Sequence, residues 1–375
     1  MNDRRSDARS PYMEWAKLCS ACRHNLATSG MGSLPLADLG AKVEQLEING
    51  PGGYGYEPLL QAIAQRYRVR RESVVSAIGT SMANYLALAA TAEPGDEILI
   101  EQPAYEPIVS TAQYLGLRVG YFQRRFAQKF AIDLADLERQ LTPRTRVIVI
   151  TNLHNPTGAL CREDELREIA VLARRSGAYV LVDEVYLEML FEAEPQTAFH
   201  IDPEFFLITN SLTKAYGLSG LRCGWVFARP DVAERMWHIN DLHGVNFAYP
   251  AELLSVIAFE KLAQVSVSMQ TLLNQNRELL RQFLHSRDDL DFYWPEFGTI
   301  IFPRLRSGDV DLLCDVLRAQ FETSVVPGRF FGAPEHFRIG VGGSTESVRQ
   351  ALEQLGKGLD DFAAQNAKAA ASYVS

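Results

Sequence analysis

Between residues 70 and 230, short apolar runs alternate with amphipathic stretches of helical periodicity, and this alternation limits the folds open to the chain. The runs are almost continuously apolar and cover residues 73–78, 97–100, 146–150, 179–182, 205–209 and 224–228. Strands buried on both faces of a parallel sheet have this composition, whereas half-exposed strands alternate polar and apolar residues. The intervening stretch 162–176 places Leu166, Ile169, Ala170 and Ala173 near helical spacing. The pattern predicts an α/β fold with a mainly parallel sheet covered by helices.

The pattern changes after residue 250. A long helical region is predicted over residues 251–285, where Leu253, Leu254, Ile257 and Leu262 recur near helical spacing. Two strands at 298–302 and 336–341 and a last helix at 346–363 follow it. Because no low-complexity linker separates these parts, we expect a large domain over residues 46–284 and a packed, smaller α+β domain built from 11–45 and 285–375.

Composition excludes several classes of protein. The net charge of -9 argues against a nucleic-acid partner, because such proteins usually carry a basic face. No apolar run approaches the length of a membrane span, and residues 1–10 lack the apolar stretch of a secretory signal. Five scattered cysteines fit a reducing compartment, and the lone C-x-x-C of Cys19 and Cys22 lacks a second pair of zinc ligands. We expect a soluble cytoplasmic protein without a metal site.

Polar side chains follow the predicted strands where these end. They are Tyr105, Asn155, Asp183 and Lys214. In open parallel sheets, ligands bind outside the carboxyl ends of the strands, so we expect an aromatic ring, an amide, a carboxylate and an amine to share one edge. Each of them alone has a structural explanation, such as a helix cap or a solvated charge, and their joint placement is what predicts a site.

A candidate anion site lies between the strand 73–78 and the helix that follows it. Gly79, Thr80 and Ser81 open that helix, where free backbone N–H groups and the positive end of the helix dipole coincide. An ordinary N-cap is the alternative interpretation of the same tripeptide. Neither G-x-x-x-x-G-K-S/T nor G-x-G-x-x-G after a strand occurs, so the common nucleotide-binding loops are excluded.

Three motifs in fixed order carry a resemblance to a known family. They are NLHNPTG at residues 152–158, DEVY at 183–186, and SLTK at 211–214 followed by Arg222 and Gly224. With them the chain resembles the aminotransferase class I and II family, the fold type I enzymes of pyridoxal phosphate, over most of its length. The resemblance implies a seven-stranded, mainly parallel sheet in a large cofactor-binding domain, with a smaller α+β domain beside it.

The resemblance assigns the chemistry to two residues. It implies that Lys214 forms the Schiff base with pyridoxal phosphate and that Asp183 pairs with the protonated pyridine nitrogen. The amine must lose its proton to attack a carbonyl and can then serve as base and acid. A carboxylate beside the ring nitrogen keeps it cationic, which makes the ring an electron sink.

Other residues match contacts of the family. The resemblance implies that Asn155 and Tyr186 hydrogen-bond the phenolic oxygen of the cofactor and that Tyr105 stacks on its ring. It assigns phosphate contacts to Ser211 and Arg222, beside the helix start formed by Gly79, Thr80 and Ser81, and a charge-assisted pair from arginine suits that role. Substrate contacts fall to Arg338, which would hold the α-carboxylate, to Asn155, and to Gly30 in the Ser29-Gly30-Met31 segment.

The chain departs from the family near residue 50. Members often carry a tyrosine five residues before the glycine that matches Gly55, to reach the phosphate of a neighbouring subunit, but Gly50 occupies that position. Tyr54 or Tyr56 would have to replace it. A homodimer with sites at the interface is expected from the resemblance alone.

The resemblance predicts a ping-pong aminotransferase acting on an amino acid and a 2-oxo acid. A carbon–sulfur β-lyase, or a related amino-acid lyase or cyclase of the same fold, is the alternative, since the same carbanion supports elimination and cyclisation. Ser211 and Lys214 also fit S-x-x-K, but the S-D-N and K-T-G motifs of β-lactamases are absent. A non-catalytic regulator is disfavoured because no DNA-binding module precedes residue 30.

The substrate side chain is predicted to be neutral or aromatic. Dicarboxylate-specific members commonly add an arginine after the catalytic lysine, but residues 244–250 offer no cation. A buried, unpaired carboxylate costs several kcal/mol. Arg124, Arg125 or the neighbouring subunit are the alternative sources of a counter-charge.

Overall fold

The computed structural model describes residues 8–192 and 195–374, with side chains up to residue 366. Residue 375, the end of the predicted small domain, lies outside the described residues. The strands, in chain order, are β1 (His24–Asn25), β2 (Val74–Ile78), β3 (Glu97–Gln102), β4 (Arg118–Gln123), β5 (Thr145–Thr151), β6 (Tyr179–Asp183), β7 (Phe206–Ser211), β8 (Cys223–Phe227), β9 (Leu290–Asp291), β10 (Ile300–Ile301), β11 (Arg304–Leu305), β12 (Thr323–Ser324), β13 (Val326–Pro327) and β14 (Phe337–Gly340).

Eleven α-helices are described within the same ranges. They are α1 (Pro11–Leu18), α2 (Leu36–Leu39), α3 (Glu57–Tyr67), α4 (Gly79–Thr91), α5 (Glu106–Tyr114), α6 (Leu134–Gln140), α7 (Glu163–Ser176), α8 (Pro230–Asp241), α9 (Tyr249–His285), α10 (Val310–Phe321) and α11 (Thr345–Val374). None of these described helices has the length and apolarity that a membrane span requires.

A seven-stranded sheet forms the centre of the fold, in the order β2-β8-β7-β6-β5-β3-β4. Neighbouring strands are parallel except β8, which is antiparallel to both β2 and β7. This confirms the predicted α/β class and the mainly parallel seven-stranded sheet. Each apolar run of the sequence coincides with one of these strands to within a few residues.

One strand of this sheet was not predicted. The edge strand β4 has only Phe122 fully buried, and its other side chains are exposed or partly exposed. Its sequence therefore lacks the continuous apolar character of the central strands. The missing signal is a consequence of its edge position.

Strand register aligns the ends of the central strands. Thr151 of β5 lies opposite Asp183 of β6, and Asp183 lies opposite Thr209 of β7. On the far side of β7, Ser211 pairs with Gly224 of β8. The residues that follow these strands consequently emerge at one edge of the sheet, as the sequence predicted.

The C-terminal part contains a three-stranded antiparallel sheet, β10-β14-β13. Helix α10 packs against β13 of this sheet, and α11 packs against both α9 and α10. The N-terminal segment joins this part, since β1 pairs in parallel with β12 and the Gly340 N–H donates to the Leu26 carbonyl. The division into domains at residues 46 and 284 remains a prediction.

Candidate active site

A cavity of about 300 Å³ lies at the carboxyl edge of the sheet. Many of the residues singled out in the sequence line it. They are Thr80, Ser81, Tyr105, Asn155, Asp183, Tyr186, Ser211, Lys214 and Arg222. Helix α1 and residues 27–29 form another wall, which contributes Tyr12, Trp15 and Ser29. The described residues contain no cluster of three or more His, Cys, Asp or Glu side chains suited to a metal ion.

Asp183 is the last residue of β6 and is almost completely buried. Its Oδ2 accepts a hydrogen bond from Asn84 Nδ2 at 2.8 Å, and its Oδ1 accepts one from the Val185 N–H at 3.1 Å. Burial raises the pKa of Asp183 to about 6, while the bonds from Asn84 and Val185 and the charge of Lys214 act in the opposite direction. The carboxylate would therefore gain stability from a cation placed in the cavity.

Lys214 lies on the turn after β7. Its Nζ donates to Ser29 Oγ at 3.1 Å, and its carbonyl accepts from the Met31 N–H at 2.7 Å. Burial lowers the pKa of Lys214 to about 8, assisted by the positive charge of Arg338 and opposed by Asp183. This amine is thus deprotonated more readily than an ordinary lysine, and its neutral form is the nucleophile.

A buried carboxylate anchors the turn that carries Lys214. Glu188 accepts hydrogen bonds from Arg66, Tyr67 and Tyr216, and Tyr216 lies two residues after the lysine. Removing one partner of such a buried ion pair is strongly destabilising. The network therefore restricts the positions that the turn can adopt.

An anion cradle surrounds the start of α4. The hydroxyl of Thr80 donates to Ser211 Oγ at 2.9 Å, and Arg222 Nη2 donates to the Ile78 carbonyl at 3.3 Å. A Cβ on Gly79 would lie 2.3 Å from Arg222 Nη2, and a Cβ on Gly224 would lie 2.6 Å from the Gly79 carbonyl carbon. Two glycines thus bring a guanidinium against the helix N-terminus, where an anion is favoured.

Asn155, Tyr186 and Tyr105 present polar and aromatic groups to the cavity. The Asn155 Oδ1 accepts a hydrogen bond from Arg338 Nη1 at 2.8 Å, which turns the amide NH₂ group away from the arginine. The Tyr186 hydroxyl is buried beside Ser29 without a well-formed hydrogen bond among the described residues, and burial raises its pKa to about 12. Tyr105 precedes α5 and is partly exposed.

Arg338 lies on β14 directly behind the cavity wall and is completely buried. Its Nη2 donates to the Tyr12 hydroxyl at 2.9 Å and to the Ala27 carbonyl at 3.2 Å. Its Nε makes no hydrogen bond to any described residue. Among the described residues, this guanidinium donates hydrogen bonds only to neutral oxygens. A buried cation without a carboxylate partner is suited to bind a carboxylate.

Five predicted residues do not line the cavity of their own chain, namely Gly79, Arg338, Gly30, Tyr54 and Tyr56. Gly30 packs on the Lys214 backbone, where an added Cβ would be 3.3 Å from the lysine Cα, so its neighbour Ser29 lines the cavity instead. Tyr54 is exposed and donates to Asp241 Oδ2 at 3.3 Å, while Tyr56 packs edge-on against Tyr249. Residues 244–250 also lie elsewhere and border a second cavity with residues 48–56.

Sequence reasoning missed Tyr12 and Asn84 as members of the site, and within the segment Ser29-Gly30-Met31 it selected Gly30 rather than the lining residue Ser29. Tyr12 precedes the predicted large domain, and its place over the cavity depends on the contact of Ser10 and the Tyr12 N–H with Glu106 of α5. Asn84 is a single amide in an otherwise apolar helical stretch, 82–88, and that irregularity was the one available signal.

The chain is similar to known proteins along most of its length. The family model "Aminotransferase class I and II" matches residues 44–355. Capreomycidine synthase of Streptomyces vinaceus is 31% identical over 344 residues, which are 91% of this chain and 88% of that protein.

Two solved structures share the fold. A PLP-dependent aminotransferase from Streptococcus suis superposes with a TM-score of 0.88 at 25% identity, covering 94% of this chain and 98% of that one. The PLP-dependent cyclase OrfR gives a TM-score of 0.81 at 25% identity, with coverages of 94% and 97%. The chain therefore belongs to the aminotransferase class I and II family of pyridoxal-phosphate-dependent enzymes.

Proposed function

We propose that this chain is an aminotransferase that moves an amino group between an amino acid with a neutral or aromatic side chain and a 2-oxo acid by a ping-pong mechanism. The observation that carries the proposal is one cavity that combines the amine of Lys214, the carboxylate of Asp183 and a wall backed by Arg338. These three groups match the base, the ring-nitrogen partner and the carboxylate-binding cation that transamination shares with the other pyridoxal-phosphate reactions at an amino-acid α-carbon.

Two observations support a fit between the cavity and pyridoxal phosphate. The absence of side chains at Gly79 and Gly224 lets the Arg222 guanidinium lie directly against the start of α4, so a phosphate at this helix N-terminus would meet both the arginine and the free N–H groups. The buried Tyr186 hydroxyl lacks a well-formed hydrogen bond among the described residues, as expected of a group that donates to a ligand oxygen.

The positions of the side chains that line the cavity support the remaining contacts proposed with pyridoxal phosphate. Thr80, Ser81, Ser211 and Arg222 would hold the phosphate, Asn155 and Tyr186 the phenolic oxygen, and Asp183 the ring nitrogen. Tyr105 would lie against the ring. When bound, pyridoxal phosphate supplies an electron sink for the substrate α-carbon.

Lys214 would attach the cofactor covalently and, once substrate displaces it, carry the proton to and from the substrate α-carbon. A pKa near 8 suits both tasks, because the amine changes protonation state close to the working pH. Ser29 accepts from the amine and fixes its direction.

Arg338 would bind the α-carboxylate of the substrate with a bidentate pair. Tyr12 and Asn155 already contact both of its terminal nitrogens and hold the guanidinium plane in place. The substrate carboxylate would gain from a cation that is completely buried and hence poorly screened.

The neutral wall of the cavity supports an uncharged substrate side chain. Helix α1 and Ser20, two residues after its end, contribute neutral groups there; the helix residues are Tyr12, Met13, Trp15 and Ala16. Arg124 is buried and pairs with Glu101 at 2.7 Å, while Arg125 pairs with Asp133 at 2.5 Å, so both of the suggested compensating arginines already have carboxylate partners. The distal carboxylate of an aspartate or glutamate substrate would therefore find no free cation at Arg124, at Arg125 or among the α1 residues that line the cavity.

A cyclase or β-lyase is the second candidate. Its support is the similarity to capreomycidine synthase and to the cyclase OrfR, over nine tenths of the chain in each case. All three reaction types begin at the substrate α-carbon with the same lysine. The two candidates differ in the second substrate, because an aminotransferase needs a 2-oxo acid as acceptor and a lyase or cyclase does not. They therefore also differ in product.

We also propose a cytoplasmic homodimer. Large apolar side chains are exposed in two segments that border the second cavity, namely Val43 and Ile48 in one and Leu242 and Val245 in the other. The phosphate-binding candidate Arg222 is exposed as well, and Tyr54 points away from its own site. A second subunit that covers these segments would bury them and bring its Tyr54 towards the neighbouring phosphate.

We predict that Gly79→Ala weakens cofactor binding by roughly tenfold to a hundredfold, because the added methyl group would collide with Arg222 and remove a charge-assisted contact. Titration of the apoenzyme with pyridoxal phosphate measures the dissociation constant. Gly177→Ala is the matched control, because Gly177 has the same positive φ of about 71° but nothing within 4 Å of its Cβ. Equal effects of the two substitutions would contradict the cradle.

The pKa of Lys214 gives a pH dependence with a definite sign. The amine is protonated below pH 8 and neutral above it, so covalent attachment of pyridoxal phosphate should accelerate with pH and level off above about 8. Stopped-flow absorbance measures the rate of attachment. In Lys214→Ala, borohydride reduction should leave no pyridoxal phosphate covalently bound to the protein. Arg338→Met removes a nearby cation and should move the midpoint upward. A wild-type rate that still rises at pH 10 would contradict burial of the amine.

The substrate proposal predicts that phenylalanine, methionine or leucine is a better amino donor than aspartate or glutamate, by roughly two powers of ten in kcat/KM. The assay follows formation of the new amino acid from a 2-oxo acid acceptor. Highest efficiency with a dicarboxylate would overturn the neutral-substrate proposal. Ammonia release or a cyclic product without any 2-oxo acid would favour the second candidate.

The dimer proposal predicts that the wild-type chain sediments at twice its monomer mass and that Ile48→Glu dissociates it and lowers activity at least tenfold. The substitution should weaken the dimer because it would bury an unpaired carboxylate in the interface, which costs free energy of association. Val171→Glu, at an exposed site on α7, is the control and should change neither property. A fully active monomer would exclude a site shared between subunits.

A further inference from the structure

Asn84 is a buried amide in the middle of helix α4. Only 3% of it is exposed, and its neighbours Ala83, Leu86 and Ala87 are buried in the apolar core. A buried amide is costly unless its hydrogen-bonding groups are satisfied. Its burial is therefore explained by hydrogen bonds to specific partners, Thr209 and Asp183.

The oxygen and the nitrogen of this amide form hydrogen bonds with residues of the neighbouring strands β7 and β6. Asn84 Oδ1 accepts from Thr209 Oγ1 at 2.6 Å, and Asn84 Nδ2 donates to Asp183 Oδ2 at 2.8 Å. Thr209 and Asp183 lie opposite each other on β7 and β6. The threonine hydroxyl fixes the amide so that its NH₂ group, and not its oxygen, faces the carboxylate.

This bond acts on the charge of Asp183. A donor to an ionised carboxylate stabilises the charged form, and burial without it would favour the neutral acid. The other carboxylate oxygen accepts from the Val185 N–H at the longer distance of 3.1 Å. Among the groups that keep the pKa of Asp183 from rising further, Asn84 contributes most.

The position of Asn84 also links two parts of the site. Helix α4 begins with Gly79 and Thr80 at the anion cradle and reaches Asn84 one and a half turns later. The same rigid element therefore sets both the phosphate end of the cavity and the orientation of Asp183.

We propose that Asn84 is a positioning residue that holds Asp183 ionised and aimed at the cofactor ring nitrogen, so that the proton shared by this pair stays on the nitrogen. Thr209 orients Asn84 for this role. The inference rests on the role proposed above for Asp183.

The experiment uses Asn84→Leu, which keeps the size of the side chain but removes the donor. Holoenzyme is prepared with pyridoxal phosphate labelled with ¹⁵N in the ring, and the ¹⁵N chemical shift reports whether the nitrogen carries a proton. In Asn84→Leu the shift should move towards that of unprotonated pyridine, and kcat should fall on the order of tenfold, the equivalent of one pKa unit. Thr209→Val removes the orienting hydroxyl and should produce a smaller change in the same direction, and it serves as the test if Asn84→Leu does not fold.

Asp183→Asn separates this inference from its foundation. If Asp183→Asn leaves the ¹⁵N shift of the wild type unchanged, the role of Asp183 is misassigned. If Asp183→Asn moves the shift but folded Asn84→Leu and Thr209→Val do not, the role of Asn84 is refuted while that of Asp183 stands. A lower melting temperature with an unchanged ¹⁵N shift would make Asn84 a packing residue only.

Discussion

The carboxyl edge of a sheet that is buried on both faces is the constraint on which the rest of the structure depends. The middle residues of β5 and β6 and the first half of β7 are buried and apolar, so polar groups collect towards the carboxyl ends of these strands. The register sets Thr151, Asp183 and Thr209 side by side. Because β8 is antiparallel to β7, it begins at the same edge, and this places Arg222, the residue before β8, beside the start of α4.

Burial of opposite charges in one small volume gives the site its chemistry. It raises the pKa of Asp183 and lowers the pKa of Lys214, so both groups are displaced towards their neutral forms. Arg338 keeps its charge, because guanidinium does not lose its proton in proteins. A ligand with a cation beside Asp183 and anions beside Arg338 and Arg222 would compensate all of these charges together. The cofactor of this family, with its ring nitrogen and phosphate, and an amino-acid substrate, with its carboxylate, have that distribution.

The sequence predicted the features of the structure that depend on short-range patterns, namely the central strands and the residues that follow them. Continuous apolar runs located the central strands, and the residues after them located Asn155, Asp183 and Lys214 at one edge. The edge strand β4 has no such run, because its side chains are partly exposed. Tyr12 and Asn84 reach the site through tertiary packing of α1 and α4, which no local pattern encodes. Gly30 was a near miss, since its backbone packs on Lys214 while the hydroxyl of Ser29 faces the cavity.

The choice between transamination and elimination or cyclisation depends on a different part of the molecule from the sheet edge. All of these reactions use the same groups at the substrate α-carbon, so Lys214, Asp183 and Arg338 cannot distinguish them. The groups around the substrate side chain can, and in the proposed site they would come from α1 and residues 27–29, which line the cavity. Glu106 ties α1 to α5 through Ser10 and the Tyr12 N–H. Since the Tyr12 hydroxyl also accepts a hydrogen bond from Arg338, this segment is mechanically coupled to the residue proposed to hold the carboxylate. Reaction specificity is therefore expected to evolve in this N-terminal wall while the edge of the sheet stays the same.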